Sequence, residues 1–329
     1  MSRVLVTGGA GYIGSHVVKL LGKAGHQPVT LDNLSKGRSD AVLFGPLIVG
    51  DTGDRELVAR VLREHDIKTV MHFAAFTIVP ESVADPLKYY ANNTCSTRNL
   101  IGCCVAAGVD KFVFSSTAAV YGMPAAGICA EDTTTSPINP YGQSKLMSEL
   151  MLRDVCHAHR MRAVILRYFN VAGSDPDGEI GQSTPGSTLL TKVAVEAAFR
   201  KREAVHIYGT DYPTPDGTGV RDYIHVSDLA AAHINALDYL GNGGDSITLN
   251  CGYGHGYSVR EVLDTVTRLG PAPFKIVESP RRPGDPPLLI AQASRIREVL
   301  GWQPRFDDLN QIVTTSLAWE RTLMARSTK

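Results

Sequence analysis

The chain has 329 residues, with 33 lysines and arginines balanced by 33 aspartates and glutamates. That length suits one or two tightly joined domains with a large buried core. A net charge of zero, without long runs of one sign, argues against nucleic acid and anionic membrane surfaces as partners.

The N-terminus runs from Met1-Ser2-Arg3 straight into the β-forming Val4-Leu5-Val6-Thr7. This leaves no room for a secretory signal, and no apolar run approaches the roughly 20 residues of a membrane span. A cytoplasmic protein is expected. The six cysteines, Cys95, Cys103, Cys104, Cys129, Cys156 and Cys251, lack Cys-x-x-Cys spacing. They read as reduced, small apolar fillers, with neither a metal site nor a disulfide expected.

Gly8-Gly9-Ala10-Gly11-Tyr12-Ile13-Gly14 follows the first strand and opens a helix-spaced run, Val17, Val18, Leu20 and Leu21. Gly9, Gly11 and Gly14 fit a dinucleotide fingerprint, in which absent side chains permit a tight turn and bring backbone N–H groups to a pyrophosphate. The next strand, Val29-Thr30-Leu31, ends in Asp32, 18 residues after Gly14. An acid there binds the adenosine ribose hydroxyls and repels a 2′-phosphate, so NAD is expected rather than NADP.

Leu47-Ile48-Val49, a helix over 54–65 and the apolar Thr69-Val70-Met71-His72-Phe73 continue the alternation. That pattern predicts an α/β fold with a doubly wound parallel sheet of the Rossmann type. Asp51 and the turn Phe73-Ala74-Ala75 fall at strand C-termini, where such sheets bind ligands. His72, inside a strand, reads as a packed histidine rather than a base. A helix over about Pro86 to Ala107 leads to the strand Lys111–Thr117, whose last three residues carry hydroxyls. These hydroxyls either cap the turn or bond a substrate alcohol.

Asn139 can cap a helix and Pro140 suits its first turn, which puts Tyr141 and Lys145 four residues apart on one face. An ammonium beside a phenol favours the phenolate, so Lys145 is expected to lower the tyrosine pKa from about 10 and create a base. Further on, 213–219 reads as a turn-rich loop, 228–240 and 258–269 as helices, and 281–287 as a loop. After Trp302 a single helix with a polar tail is expected.

Taken together, Thr7 through His16, Leu31 through Ser35, Tyr141 with Lys145, Arg167 through Asn170 and Gly219 through Val226 resemble the extended short-chain dehydrogenase/reductases of the UDP-glucose 4-epimerase type. The resemblance runs from residue 4 to about residue 302. It implies a tightly held NAD and a UDP-sugar substrate, with UDP-galactose and UDP-glucose interconverted in galactose metabolism. Tyr141 would take the proton of the sugar 4-hydroxyl while hydride leaves carbon 4. The 4-keto sugar would then turn over and take the hydride back on its other face. Thr117 would bond the reacting oxygen, and Lys145 would also bind the nicotinamide ribose. Ala118-Ala119 occupies the place where dehydratases and decarboxylases of this family carry acids, which favours an epimerase.

The resemblance further implies cofactor contacts from Gly8, Gly11, Tyr12, Ile13, Gly14, Asp32, Asn33, Ser35, Asp51, Thr52, Phe73, Ala74, Ala75, Asn92, Ser115 and Tyr168. For the substrate it implies Asn170, Thr188, Leu189, His206, Tyr208, Arg221, Arg282 and Asp285. The cofactor domain would span 1–172, with a returning segment near 220–250, and a smaller C-terminal α/β domain over 173–329 would bind the UDP-sugar. A homodimer is expected. Three places depart from relatives: Phe76-Thr77 replaces a lysine, Ser187-Thr188-Leu189 replaces a more polar helix entry, and Leu289 stands at the position beside the sugar. Leucine there is intermediate between a bulky tyrosine that restricts relatives to plain hexoses and a small residue that admits N-acetyl sugars. N-acetylhexosamine, pentose and uronic acid substrates therefore stand as alternatives.

Overall fold

Alternation along each strand decides which side of the sheet its residues serve. In the computed structural model, which describes residues 2–282 and 284–327, Val4 and Val6 pack into one core while Leu5 between them packs into another. The strand is β1 (Arg3–Thr7). It is joined by β2 (Gln27–Asp32), β3 (Leu47–Val49), β4 (Thr69–His72), β5 (Lys111–Thr117), β6 (Arg162–Tyr168) and β7 (Ile247–Cys251). Their order across the sheet is β7-β6-β5-β4-β1-β2-β3, and every pairing is parallel. Such strands are buried on both faces, which explains their continuous apolar runs.

Helices cover the two faces. On one lie α1 (Tyr12–Lys23) and, much later in the chain, the 226–241 helix, whose residues Leu229, Ala236 and Leu240 share a core with Val17 and Leu21 of α1. On the other lie α2 (Arg55–Glu64) and α3 (Ser96–Ala107), which bury Leu57, Val61, Leu100 and Cys104. The helix α4 (Pro140–Ala158) follows and also serves that face, through Leu152. The longer of the later helices are α5 (Leu190–Ala198), α6 (Val226–Gly241), α7 (Val259–Leu269) and α8 (Leu309–Ser327). A capping box between Ser258 and Glu261 starts α7.

The chain winds outward from β1 to β3, then crosses to β4 on the other side of β1. The crevice of such a sheet opens at this reversal, above the C-terminal ends of β1 and β4. Smaller sheets build the substrate side. Strand Ala204–Tyr208 pairs with Lys275–Ser279, and Leu288–Ala291 lies between Val220–Arg221 and Ile128–Cys129.

Two expectations are refined. The helix over Pro86 to Ala107 is interrupted by a π-helical segment, Tyr90–Cys95. There the Asn93 carbonyl accepts from the Thr97 and Ser148 hydroxyls, and its side chain bonds the Phe76 backbone and Ser144. The widened turn aims Asn93 toward α4. After Trp302, six residues of loop precede the last helix, and the polar tail beyond Ser327 lies outside the described residues. All six cysteines are free; Cys103, Cys104, Cys129 and Cys251 are buried as apolar fillers, whereas Cys95 is exposed and does not fill the core. Among the described residues, no helix is long and apolar enough to cross a membrane.

Candidate active site

The cradle above β1 is shaped by contacts that leave no space for side chains. Gly8 has φ +73°, and a Cβ there would stand 2.5 Å from the Ala74 nitrogen of the turn after β4. A Cβ on Gly14 would lie 2.2 Å from the Gly8 carbonyl. Gly11 precedes α1 without a side-chain cap, so the first N–H groups of the helix point into the crevice. Tyr12 anchors this turn by donating to the Gly173 carbonyl, and Ile13 packs against the adjoining core.

Asp32, at the end of β2, accepts from the Ala10 and Leu34 backbones at 3.0 and 2.8 Å. Burial raises its pKa, and those two N–H groups oppose the rise. Asn33 donates to Asp51 at 2.8 Å and accepts from the Ser35 backbone, which ties the loops after β2 and β3 together. Thr52 is buried just beyond. A backbone cradle for a diphosphate, with an acid one strand away, fits an NAD molecule.

On the other side of the crevice, Asn139 accepts from the Gly142 backbone and starts α4 as the sequence predicts. Lys145 is 3% exposed. Its ammonium donates to the Ser115 carbonyl at 2.8 Å and stands 5.0 Å from the Phe114 ring centre. Thr117 caps the following turn by accepting from the Ala119 backbone, and its side chain is near enough to the Tyr141 phenol to favour the phenolate. The capping reading of that hydroxyl therefore holds.

The expected electrostatics are corrected here. Desolvation around its hydroxyl raises the Tyr141 pKa, and the Thr117 side chain, not Lys145, is what opposes the rise. Burial also pulls the Lys145 ammonium down to about 7, against the opposing carboxylate of Glu149. The dry surroundings penalise the charged form of each residue, and burial is the larger cause of both shifts.

His72 is a packed histidine, between the Thr7 and Thr97 hydroxyls, with its pKa lowered to about 3 by burial and Lys145. Ser116 is structural, bonded to Glu149. Tyr168 is buried, and its hydroxyl engages His233 at 2.7 Å. Phe73 packs on the same His233. Asn92 bonds its neighbour Asn93. Where a lysine is absent at Phe76-Thr77, Lys88 places its ammonium 4.9 Å from the Phe76 ring.

The substrate-side residues form a second group. Arg282 stacks on Tyr208 at 3.7 Å, His206 stacks on the same tyrosine, and Arg221 pairs with Asp285 at 3.3 Å. The 281–287 loop reaches back toward α4, since a Cβ on Gly284 would meet Ile138 at 2.9 Å. Asn170 pairs with Tyr223 through the strand at 170–172. Thr188 is exposed, and Leu189 is the residue before α5. Leu289 packs against a small core containing Ala118, Cys129, Leu146 and Phe169.

Two residues escaped the sequence reading. Asn93 holds the Phe76 backbone against α4. Glu149, one turn beyond Lys145, is fully buried and paired with Arg167. The spacing 141, 145, 149 carried that signal, an acid continuing a buried face.

A profile described as the NAD dependent epimerase/dehydratase family matches residues 4–252. A UDP-glucose 4-epimerase from Azospirillum brasilense is 57% identical over 322 residues, covering 98% of this chain and 92% of that protein. The crystal structure of UDP-glucose 4-epimerase from Brucella ovis in complex with NAD superposes with a TM-score of 0.94 at 42% identity, covering 96% and 98% of the two chains. The UDP-Glc/GlcNAc 4-epimerase of Campylobacter jejuni gives a TM-score of 0.87 at 46% identity, covering 98% and 100%.

Proposed function

Because the chain belongs to the NAD dependent epimerase/dehydratase family, we propose that the crevice between β1, β4 and α4 interconverts UDP-galactose and UDP-glucose. The Gly8–Gly14 cradle would hold NAD, which when bound would supply a hydride acceptor for carbon 4 that is regenerated within each turnover. The observation that carries the reading is that Thr117, at the open end of β5, is near enough to Tyr141, at the start of α4, to favour its phenolate. In its phenolate form, which the Thr117 side chain favours against burial, Tyr141 takes the proton of a sugar hydroxyl placed beside it and, as the phenol, gives it back on the return. Lys145 holds the Ser115 carbonyl and presents a buried ammonium beside the nicotinamide ribose. Ala118-Ala119 offers no acid for elimination, so the keto sugar's available course is reduction.

Arg221 and Arg282 take the diphosphate, for which guanidinium forks are suited. Asn170, Thr188 and Leu189 line the phosphate side, Tyr208 and His206 the uracil, and Asp285 the ribose. The remaining residues named for the cofactor, from Tyr12 to Tyr168, form its walls. We assign 1–172 with the segment near 220–250 to the cofactor and most of 173–329 to the UDP-sugar. Support for the returning segment comes from α6 and β7, which complete the first core and sheet.

A homodimer is part of the proposal. Val83, Leu87, Met147 and Leu150 are exposed apolar residues on neighbouring helices, a surface that a second copy would cover. The enzyme is placed in the cytoplasm and in galactose metabolism. UDP-N-acetylhexosamine is a second substrate class, favoured by the intermediate size of Leu289 and by the two sugars named for the Campylobacter jejuni relative.

The test is to incubate the purified protein with UDP-galactose without added cofactor and separate the products. UDP-glucose is expected. No conversion while NAD is bound would overturn the assignment.

A further inference from the structure

Glu149 takes no part in the chemistry assigned above, yet it is 0% exposed. A carboxylate so placed is costly unless fully paired. Its Oε1 accepts from Ser116 Oγ and from Arg167 Nε at 3.0 Å. Its Oε2 accepts from Arg167 at 2.7 Å and from Arg153 at 3.0 Å. Arg167, itself 1% exposed, also donates to the Tyr121 hydroxyl, which donates to Asn250. One carboxylate thus joins α4 to the ends of β5, β6 and β7 and to the turn after Thr117.

The joined points are those the chemistry depends on. Ser116 lies between Ser115, whose carbonyl receives the Lys145 ammonium, and Thr117, whose hydroxyl reaches Tyr141. Glu149 follows Lys145 by one helical turn, as Lys145 follows Tyr141.

We propose that Glu149 is a positioning residue for the Tyr141–Lys145 pair. Its carboxylate, clamped by Arg167 and Ser116, fixes the end of β5 against α4 and supplies the negative field that keeps the Lys145 ammonium charged. The groups facing Lys145 are His72 from β4, held neutral by burial, the Phe114 ring and Ser115 carbonyl from β5, and Tyr141 and Glu149 from its own helix. Those facing Glu149 are Ser116, Arg167 and Arg153, with Tyr121 behind Arg167. Burial alone drives Lys145 downward, and of these groups Glu149 is the one that opposes the fall.

The inference takes its rate consequence from the epimerase reading, whereas the titration of Lys145 needs no turnover. The experiment is an isotope-edited NMR titration of the Lys145 side chain in the NAD-bound protein, alongside the pH profile of kcat. In Glu149→Gln the lysine should titrate about one unit lower, and the alkaline limb of kcat should move down with it. Should the uncompensated Arg167 prevent folding, Glu149→Gln/Arg167→Met removes both charges, and a smaller shift in the same direction is expected because the cation that opposes the Glu149 field leaves with it. Glu149→Asp keeps the charge but shortens its reach; it should lower kcat with the titration near its original value. An unmoved Lys145 titration in whichever glutamine variant folds overturns the proposal. So does a shift in Glu149→Asp as large as in the glutamine variant. An inactive parent protein with the expected titration shifts would count against the epimerase reading alone.

Discussion

The α4 wall and the 281–287 arm handle charge in opposite ways. On the wall, Lys145, Glu149 and Arg167 are all nearly inaccessible, and each is held by partners from the fold itself. On the arm, Arg281 and Arg282 are exposed and rest on the faces of Tyr212 and Tyr208, and Asp285 is 41% exposed in its pair with Arg221. Buried charges are fixed in advance and can act on a transition state. Exposed ones gain most of their order from the ligand they hold. Substitutions on the wall should therefore act on kcat, and those on the arm on KM.

The largest effect belongs to Tyr141→Phe, which removes the proton acceptor and should lower kcat by roughly a thousandfold with NAD still bound. Absorbance of the bound cofactor together with the UDP-galactose assay checks both halves, and full activity would remove Tyr141 from the chemistry. Next comes Lys145→Met, expected to lower kcat by about a hundredfold while making the protein more stable. The folded pKa of Lys145 is about 7, below the ordinary 10.5. Between those values the unfolded chain binds the extra proton, so the site's contribution to stability rises with pH across that window and is a full penalty below about 7. Methionine keeps most of the volume and removes the penalty. Thermal unfolding at neutral pH should show a gain of about 1 kcal/mol or more, and a destabilised variant would contradict the buried-charge argument.

On the arm, Arg282→Ala should raise KM for UDP-galactose about tenfold and leave kcat nearly unchanged. Stability should move by no more than about 0.5 kcal/mol, as for exposed surface substitutions. A fall in kcat with unchanged KM would mean that the arm reaches the chemistry after all.

The same contrast decided what could be read from the sequence. The alternation of strands and helices, the Gly8–Gly14 turn and the Asn139 cap depend on local pattern, and each was legible. Asp32 and Lys145 were placed by spacing alone. The direction of the Tyr141 shift was not legible, because it depends on how much water the folded crevice excludes around the phenol. The π turn at Asn93 also escaped, since bonds to Phe76 and Ser144, distant in sequence, favour it over a regular helix. Glu149 was visible as a residue, but its burial arises from Arg167 on another strand, a pairing that no periodicity announces.

The smallest effect expected is the most specific, at the seam where the wall meets the substrate side. Leu289 pairs in register with Arg221 and packs on Ala118 and Cys129, with its carbonyl held by the Asp222 backbone at 3.3 Å. A replacement side chain there changes the space beside the sugar while the strand stays in place. Leu289→Tyr should therefore lower conversion of UDP-N-acetylgalactosamine relative to UDP-galactose by about tenfold, the scale of a few methylenes in a pocket. Conversion of UDP-galactose itself should change by no more than about twofold, because no charge is altered and the strand keeps its register. Competition of the two sugars in one reaction reads the ratio directly. An equal loss for both would mean that tyrosine disturbs the Ala118 turn rather than the space beside the sugar, and the gate would then have to be sought on the opposite wall.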